Sequence, residues 1–415
     1  MLSKDEAHRW TRAGILAAFA IVLSYVETFI PLPLPLPGAK WGLANIAILM
    51  ALVLIDGRSA LAITVIKTLV TGLLFGSPLM IPYSAAGALL ALGGMAALLK
   101  VPGLHLVLVS IAGAMLHVAG QLAVAGLMLG TPLVWYSLPL LLAVACATGA
   151  ITGKASALLI RAVEAREPGT PLAAMAQTAA DAAPLKTPRR TSAAPTRIRA
   201  PKDARPLLAA LMVYVLLAFF LQGPLGLGAM AAIALAVAIA VPLTPRDART
   251  ALAPLASILV ITAIAQMLYA QQGTVLATLG PVHITQEALA ATGTMVVRLS
   301  CIMLASVAFM RVTTTDSLMH ALKDLTAPLE RLGLRTAGFV LSCHLALEFI
   351  PILTSSFKQL SHEAAHQNPQ FGKGSPLARL RDYQTLIAPL ATAAFAYADA
   401  TSEVLTGHDV ERIAA

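Results

Sequence analysis

A procession of apolar runs constrains the architecture more than any other feature of this chain. They lie near residues 13–30, 42–55, 59–76, 84–99, 104–129 and 133–160, and again near 206–222, 225–244, 251–269 and 289–311. Two further stretches, 336–366 and 377–408, are apolar in their bodies and polar at their C-terminal ends. About 20 helical residues cross the hydrocarbon of a bilayer, and fewer suffice where a helix is enclosed by others. The chain has 415 residues, of which 58% are hydrophobic and 12% charged, and its mean hydropathy is +0.79. A soluble domain carries about 25% charged residues. So little polar surface cannot cover so much apolar area in water. A soluble globule is therefore excluded, and disorder is confined to local stretches. The expected fold class is an all-α polytopic membrane protein.

Charge placement orders these spans. The net charge is +9 and the pI about 9.7. No basic stripe is interleaved with aromatics, so nucleic acid is not an expected partner. The basic residues instead fit cytoplasmic loops facing anionic lipid. Lys4, Arg9 and Arg12 place the N-terminus in the cytoplasm, and the turns at 77–83 and 130–137, which hold no charge, face outward. Residues 164–205 are rich in Ala, Pro, Thr and Arg and hold eight Lys/Arg against four Asp/Glu. This stretch has no hydrophobic period and reads as a flexible cytoplasmic linker. Arg246 and Arg249, and then Arg311, Lys323 and Arg331, return to the inside, while the 270–288 loop fits the outside. The expected division is a membrane domain at 1–163, a linker at 164–205 and a second membrane domain at 206–415. The charged Met1–Arg12 segment and the run after it resemble a signal peptide. The Pro31–Gly38 repeat that follows offers no small-residue cleavage site, so a retained first helix is expected.

Motifs of soluble enzymes fail. Gly149–Lys154 is one residue short of a phosphate loop and lacks the Ser/Thr that holds magnesium. Phe371–Ser375 has the same defect, and no paired-aspartate magnesium motif is present. Cys146, Cys301 and Cys343 all lie in apolar stretches and form no CxxC pair. We expect no metal site, no resident cofactor and no covalent chemistry in this chain. Polar groups inside apolar runs are more informative, because they are costly in lipid and face a cavity or a partner. In the first half these are Asn45, Lys67, His117 and Gln121. The last two are four apart and share a helical face. Single polar groups of this kind often serve helix contacts, but four within one bundle point to a ligand cavity. Gly72, Gly76, Gly87, Gly93 and Gly94 read as close helix packing. Arg298 sits mid-span and needs a carboxylate or carbonyl partner; Glu348, Asp399 and Glu403 are candidates, in a structural role.

Residues 31–154 resemble the Gx transporter family, also called heptaprenyl diphosphate synthase component I. The resemblance is carried by Pro37-Gly38, Lys40-Trp41-Gly42-Leu43-Ala44-Asn45-Ile46, Gly113-Ala114, His117, Gly120, Gln121, Pro139 and Thr148-Gly149. The family pattern has Lys directly before Gly-Leu-Ala-Asn; here Trp41 intervenes. The resemblance implies a bundle of about six helices, similar to the substrate-binding S components of energy-coupling-factor (ECF) transporters. Residues 206–410 resemble the T component of those transporters, the EcfT/CbiQ family. Here the matching residues are Arg298, Thr313-Thr314, Leu318, Ala321-Leu322, Pro328-Leu329, Leu332-Gly333, Phe349-Ile350-Pro351, Pro389-Leu390 and Tyr397-Ala398-Asp399. That family implies two long coupling helices, each ending in an Ala-Arg-Gly motif that inserts into an ATPase subunit. In this chain the motif positions read Ala365-His366-Gln367 and Gly407-His408-Asp409, and Glu348 replaces the family Arg before Phe-Ile-Pro. Histidine makes fewer contacts than an arginine fork, and its charge depends on pH.

The resemblances imply a fused S–T membrane component of an ECF-like transporter in the inner membrane. Its small-molecule substrate would be vitamin-, flavin- or isoprenoid-like, and ATP and magnesium would be used by partner ATPases. The alternative is a non-transporting membrane subunit of an isoprenoid, quinone or flavin-dependent electron-transfer pathway. Weaker ATPase docking and outright loss of coupling both remain compatible with the two histidines.

Overall fold

In this computed structural model the described residues are 3–27, 29–30, 41–72, 80–129, 132–165, 204–221, 223–241, 243–245, 247, 249, 273–279, 282–313, 317 and 337–407. The Pro-Leu segment 31–37, most of the linker, the run at 251–269, and His408 and Asp409 lie outside them. The helices are α1 (Lys4–Glu27), α2 (Ala44–Leu54), α3 (Gly57–Val70), α4 (Met80–Leu98), α5 (Leu106–Leu129) and α6 (Leu138–Glu164). The second half supplies α7 (Arg205–Phe220), α8 (Gly223–Ala240), α9 (Gln286–Val312), α10 (Ala337–Gln367) and α11 (Pro376–Gly407). Seven of the described helices are long and apolar enough to cross a membrane. The protein is an all-α polytopic membrane protein, with one small sheet among the described residues. That sheet is an antiparallel hairpin of β1 (Val275–Leu279) and β2 (Val282–Thr285), in register Thr278↔His283, inside what reads from sequence as a plain outer loop.

Helix ends carry the expected local chemistry. Ser3 and Glu6 form a reciprocal capping box at the start of α1: each backbone N–H donates to the other's side chain, at 3.0 and 3.2 Å. Asp56 caps α3 by accepting from the Ser59 N–H at 2.6 Å, and its second oxygen accepts from Arg9 of α1 at 3.2 Å. One carboxylate thus ends a turn and ties two helices. Pro351 and Pro389 lie inside α10 and α11, where each removes one intrahelical hydrogen bond.

Packing joins the two halves through α1. One apolar core draws residues from α1–α6 and from α10 and α11; a second is built on α7, α8 and α9. Most of α1 from Ala13 to Leu23 is inaccessible. Small residues allow this. A Cβ placed on Gly14 would fall 2.8 Å from the Ser342 carbonyl oxygen of α10, and one on Gly338 would fall 2.1 Å from the Trp10 indole nitrogen. Close backbone approach of this kind is how helices associate in lipid, where no hydrophobic force drives them together. Polar contacts flank the seam. The Ser342 hydroxyl donates to the Trp10 carbonyl at 2.7 Å, Arg12 meets Asp399 of α11 at 2.9 Å, and His8 Nδ1 lies 2.6 Å from the Ser402 hydroxyl. In the second core the Tyr214 hydroxyl of α7 donates to the Met230 carbonyl of α8 at 2.9 Å.

Candidate functional site

The cavity in the first bundle starts from a pinned segment. The Trp41 indole donates to the Ile30 carbonyl at 2.7 Å, and the Gly42 N–H donates to Glu27 Oε1 at 2.8 Å. Gly42 has φ +75°, a left-handed conformation that favours glycine. These contacts bring the chain back to the end of α1 and set the start of α2, with Asn45 in its first turn. Lys67 lies in the last turn of α3. His117 and Gln121 project from α5, positioned by its approach to α4. A Cβ on Gly87 of α4 would fall 2.7 Å from both Gln121 Cγ and the His117 carbonyl oxygen, and one on Gly120 would fall 2.7 Å from the Ala86 carbonyl oxygen. On the other side, α5 meets α6 through Ser110 and Thr152, whose hydroxyls are 3.1 Å apart. Gly149 and Gly153 sit there, 2.7 and 2.8 Å from α5 Cα atoms when given a Cβ. The phosphate-loop-like Gly149–Lys154 stretch is therefore a helix-packing surface. Gly72 and Gly94 likewise abut Ile81 and Leu116, whereas Gly93 has nothing within 4 Å of its notional Cβ.

Asn45, Lys67, His117 and Gln121 all line one cavity of about 360 Å³. Ser24 and Glu27 of α1, Trp41, Thr71, Ser84, Thr148 and Thr152 complete its polar wall, and Leu141, Val144 and Ala145 add an apolar side. The volume falls within the usual range of small-molecule sites, roughly 300–1,000 Å³. A carboxylate, an ammonium, an imidazole and two amides can donate and accept around a compact ligand. Glu27 and Thr152 were not singled out from sequence, and Trp41 and Thr148 entered only as residues of the family pattern. Glu27 carried the one usable signal: an acid inside the 13–30 apolar run.

The other candidates fall elsewhere. Arg298 is buried in α9, and its guanidinium donates to the Leu221 carbonyl at 3.3 Å. Asp399 engages Arg12 and lies 3.8 Å from His8, and Glu348 lies 3.8 Å from His344. Ala365, His366 and Gln367 are exposed at the end of α10, beside the short turn into α11. Gly407 ends α11, about 46 Å of helix from that turn at 1.5 Å per residue. Beyond the spans, Asp247 accepts from the Thr244 N–H at 2.8 Å and hydroxyl at 2.7 Å and pairs with Arg311. The Arg311 guanidinium and these donors hold its carboxyl down at about 2.

Two family models match this chain. Residues 16–159 match the one described as heptaprenyl diphosphate synthase component I, and residues 196–406 match the one described as cobalt transport protein. The energy-coupling factor transporter transmembrane protein EcfT of Leuconostoc gelidum is 27% identical over 139 residues, covering 34% of this chain and 52% of the relative. The EcfT of Thermosediminibacter oceani is 26% identical over 197 residues, 48% of this chain and 74% of the relative. A Bifidobacterium longum protein named as an ABC transporter ATP-binding protein is 26% identical over 203 residues, 49% of this chain. The shared stretch is 26% of that protein's own length.

Proposed function

The chain belongs to the cobalt transport protein (CbiQ) family through residues 196–406, and on that footing we propose that it is the membrane component of an ECF-type transporter. Its first bundle, residues 1–163, binds a small substrate, and its second, residues 206–415, couples that bundle to ABC-type ATPases across the linker at 164–205. One observation carries this reading: four polar residues from three helices converge on one cavity, and α1, which lines it through Ser24 and Glu27, also packs against α10 and α11. The cavity's volume of about 360 Å³ suits a compact ring better than a long prenyl chain, which favours a vitamin-like substrate over an isoprenoid. ATP and magnesium act on the partner subunits, and this chain supplies binding and motion. The docking points are Ala365-His366-Gln367 and Gly407-His408-Asp409. Two such motifs suit two ATPase subunits. Positive loop charge supports a cytoplasmic N-terminus and an inner-membrane location.

Two measurements test the two halves of this proposal. Copurification from the native host is expected to bring down ATPase subunits, and His366→Asp with His408→Asp is expected to release them. A prenyl synthase or redox partner in their place would overturn the transport reading. Native mass spectrometry of the detergent-purified chain is expected to find a small polar molecule. Asn45→Ala with Gln121→Ala loses it while the thermal melt stays cooperative; equal retention would move the substrate elsewhere.

A further inference from the structure

The last full turn of α10 reads His362-Glu363-Ala364-Ala365-His366. Residues four apart on a helix lie one above the other, so both imidazoles occupy one face. In the structure the two rings touch edge to face, with centroids 4.4 Å apart, and both side chains are exposed. A tetrahedral zinc site with Zn–N bonds of 2.0–2.1 Å places its ligand nitrogens about 3.3 Å from each other. Rings with centroids 4.4 Å apart lie within reach of one shared ion. On the neighbouring face Glu363 Oε1 accepts from the Gln359 amide at 3.1 Å.

We propose that His362 and His366 form a two-imidazole site for one divalent first-row transition-metal ion, zinc in the first instance. Imidazole nitrogen suits zinc, copper and nickel, whereas calcium and magnesium take oxygen ligands. Among the described residues no third His, Cys, Asp or Glu converges on the pair. The remaining coordination positions are therefore left to water or to a side chain of a docked protein. The site binds and carries no hydrolytic step, although its spacing is that of the helix in zinc peptidases. It does not depend on the ATPase-docking role of the same helix end.

The test is calorimetric titration of the full chain in detergent, purified without a polyhistidine tag, with ZnCl₂ at pH 7.5. One saturable equivalent per chain is expected. His362→Ala and His366→Ala should each abolish it, while His105→Ala, at another exposed histidine, should leave it unchanged. Circular dichroism should stay the same in all three, because the side chains removed are on the surface. Glu363→Gln should keep the stoichiometry. The proposal is overturned if the wild type shows no saturable uptake, if either α10 histidine variant retains it, or if Glu363→Gln loses it.

Discussion

Single residues in this protein often hold two elements at once. Glu27 is both a cavity wall and the acceptor for the Gly42 N–H, so the same carboxylate faces the ligand space and fixes the entry to α2. Asp56 caps α3 while receiving Arg9. Asp247 is the third case, and its behaviour with pH can be worked out. Its folded pKa of about 2 lies below the unfolded aspartate value of about 3.9. Its stabilising contribution is therefore complete above about pH 4 and is lost as pH falls through about 2. Thermal melts of the wild type and Asp247→Asn should differ by the same amount at pH 5 and pH 8. No gap at either pH would show that the Arg311 pairing contributes nothing to stability.

At the scale of elements, the crossing of α4 and α5 decides whether the cavity exists. Gly87 and Gly120 leave no room for a side chain, and the residues they admit are Gln121, His117 and Ala86. Overpacking a tight contact costs about 1–3 kcal/mol. Gly120→Leu should lower the melting temperature and abolish ligand retention. Gly93→Leu, on α4 but facing open space, should do neither. Much of this was legible beforehand, because spans are long and their periodicity matters less than their length. The runs at 84–99 and 104–129 match α4 and α5 within a few residues. The hairpin at 275–285 was not legible: its strands hold five and four residues, too few to separate alternation from an ordinary loop. Of the cavity, the polar residues isolated in apolar runs could be found. Thr152 of α6 could not, because a helical Thr normally satisfies itself on its own backbone, as its hydroxyl does on the Thr148 carbonyl at 3.0 Å.

For the whole molecule, the seam between α1 and α10–α11 matters most, and two kinds of contact contribute to it unequally. Arg12 and Asp399 are about one-third exposed, and pairs of that exposure contribute about 0–1 kcal/mol. Gly14 sits against the α10 backbone with no space for a methyl group. Gly14→Leu should therefore disrupt the seam more than Arg12→Ala. The measurement is the yield of a disulfide engineered across α1 and α10 in each background. Equal yields would mean that the ion pair, and not the close backbone approach, holds the halves together. Reading sequence alone gave two bundles and a tether between them. It did not foresee that one helix of the first bundle would be walled in by the second, because contacts more than 300 residues apart leave no local trace.

The Trp10–Ser342 bond spans 332 positions of chain. During synthesis α1 enters the bilayer long before α10 and α11 leave the ribosome. Its glycine and alanine face then stands uncovered against lipid tails, where any other small-residue helix could occupy it. Maturation therefore finishes with a late docking step, and a nascent chain stalled before residue 337 would present that vacant face to whatever protects unfinished membrane proteins.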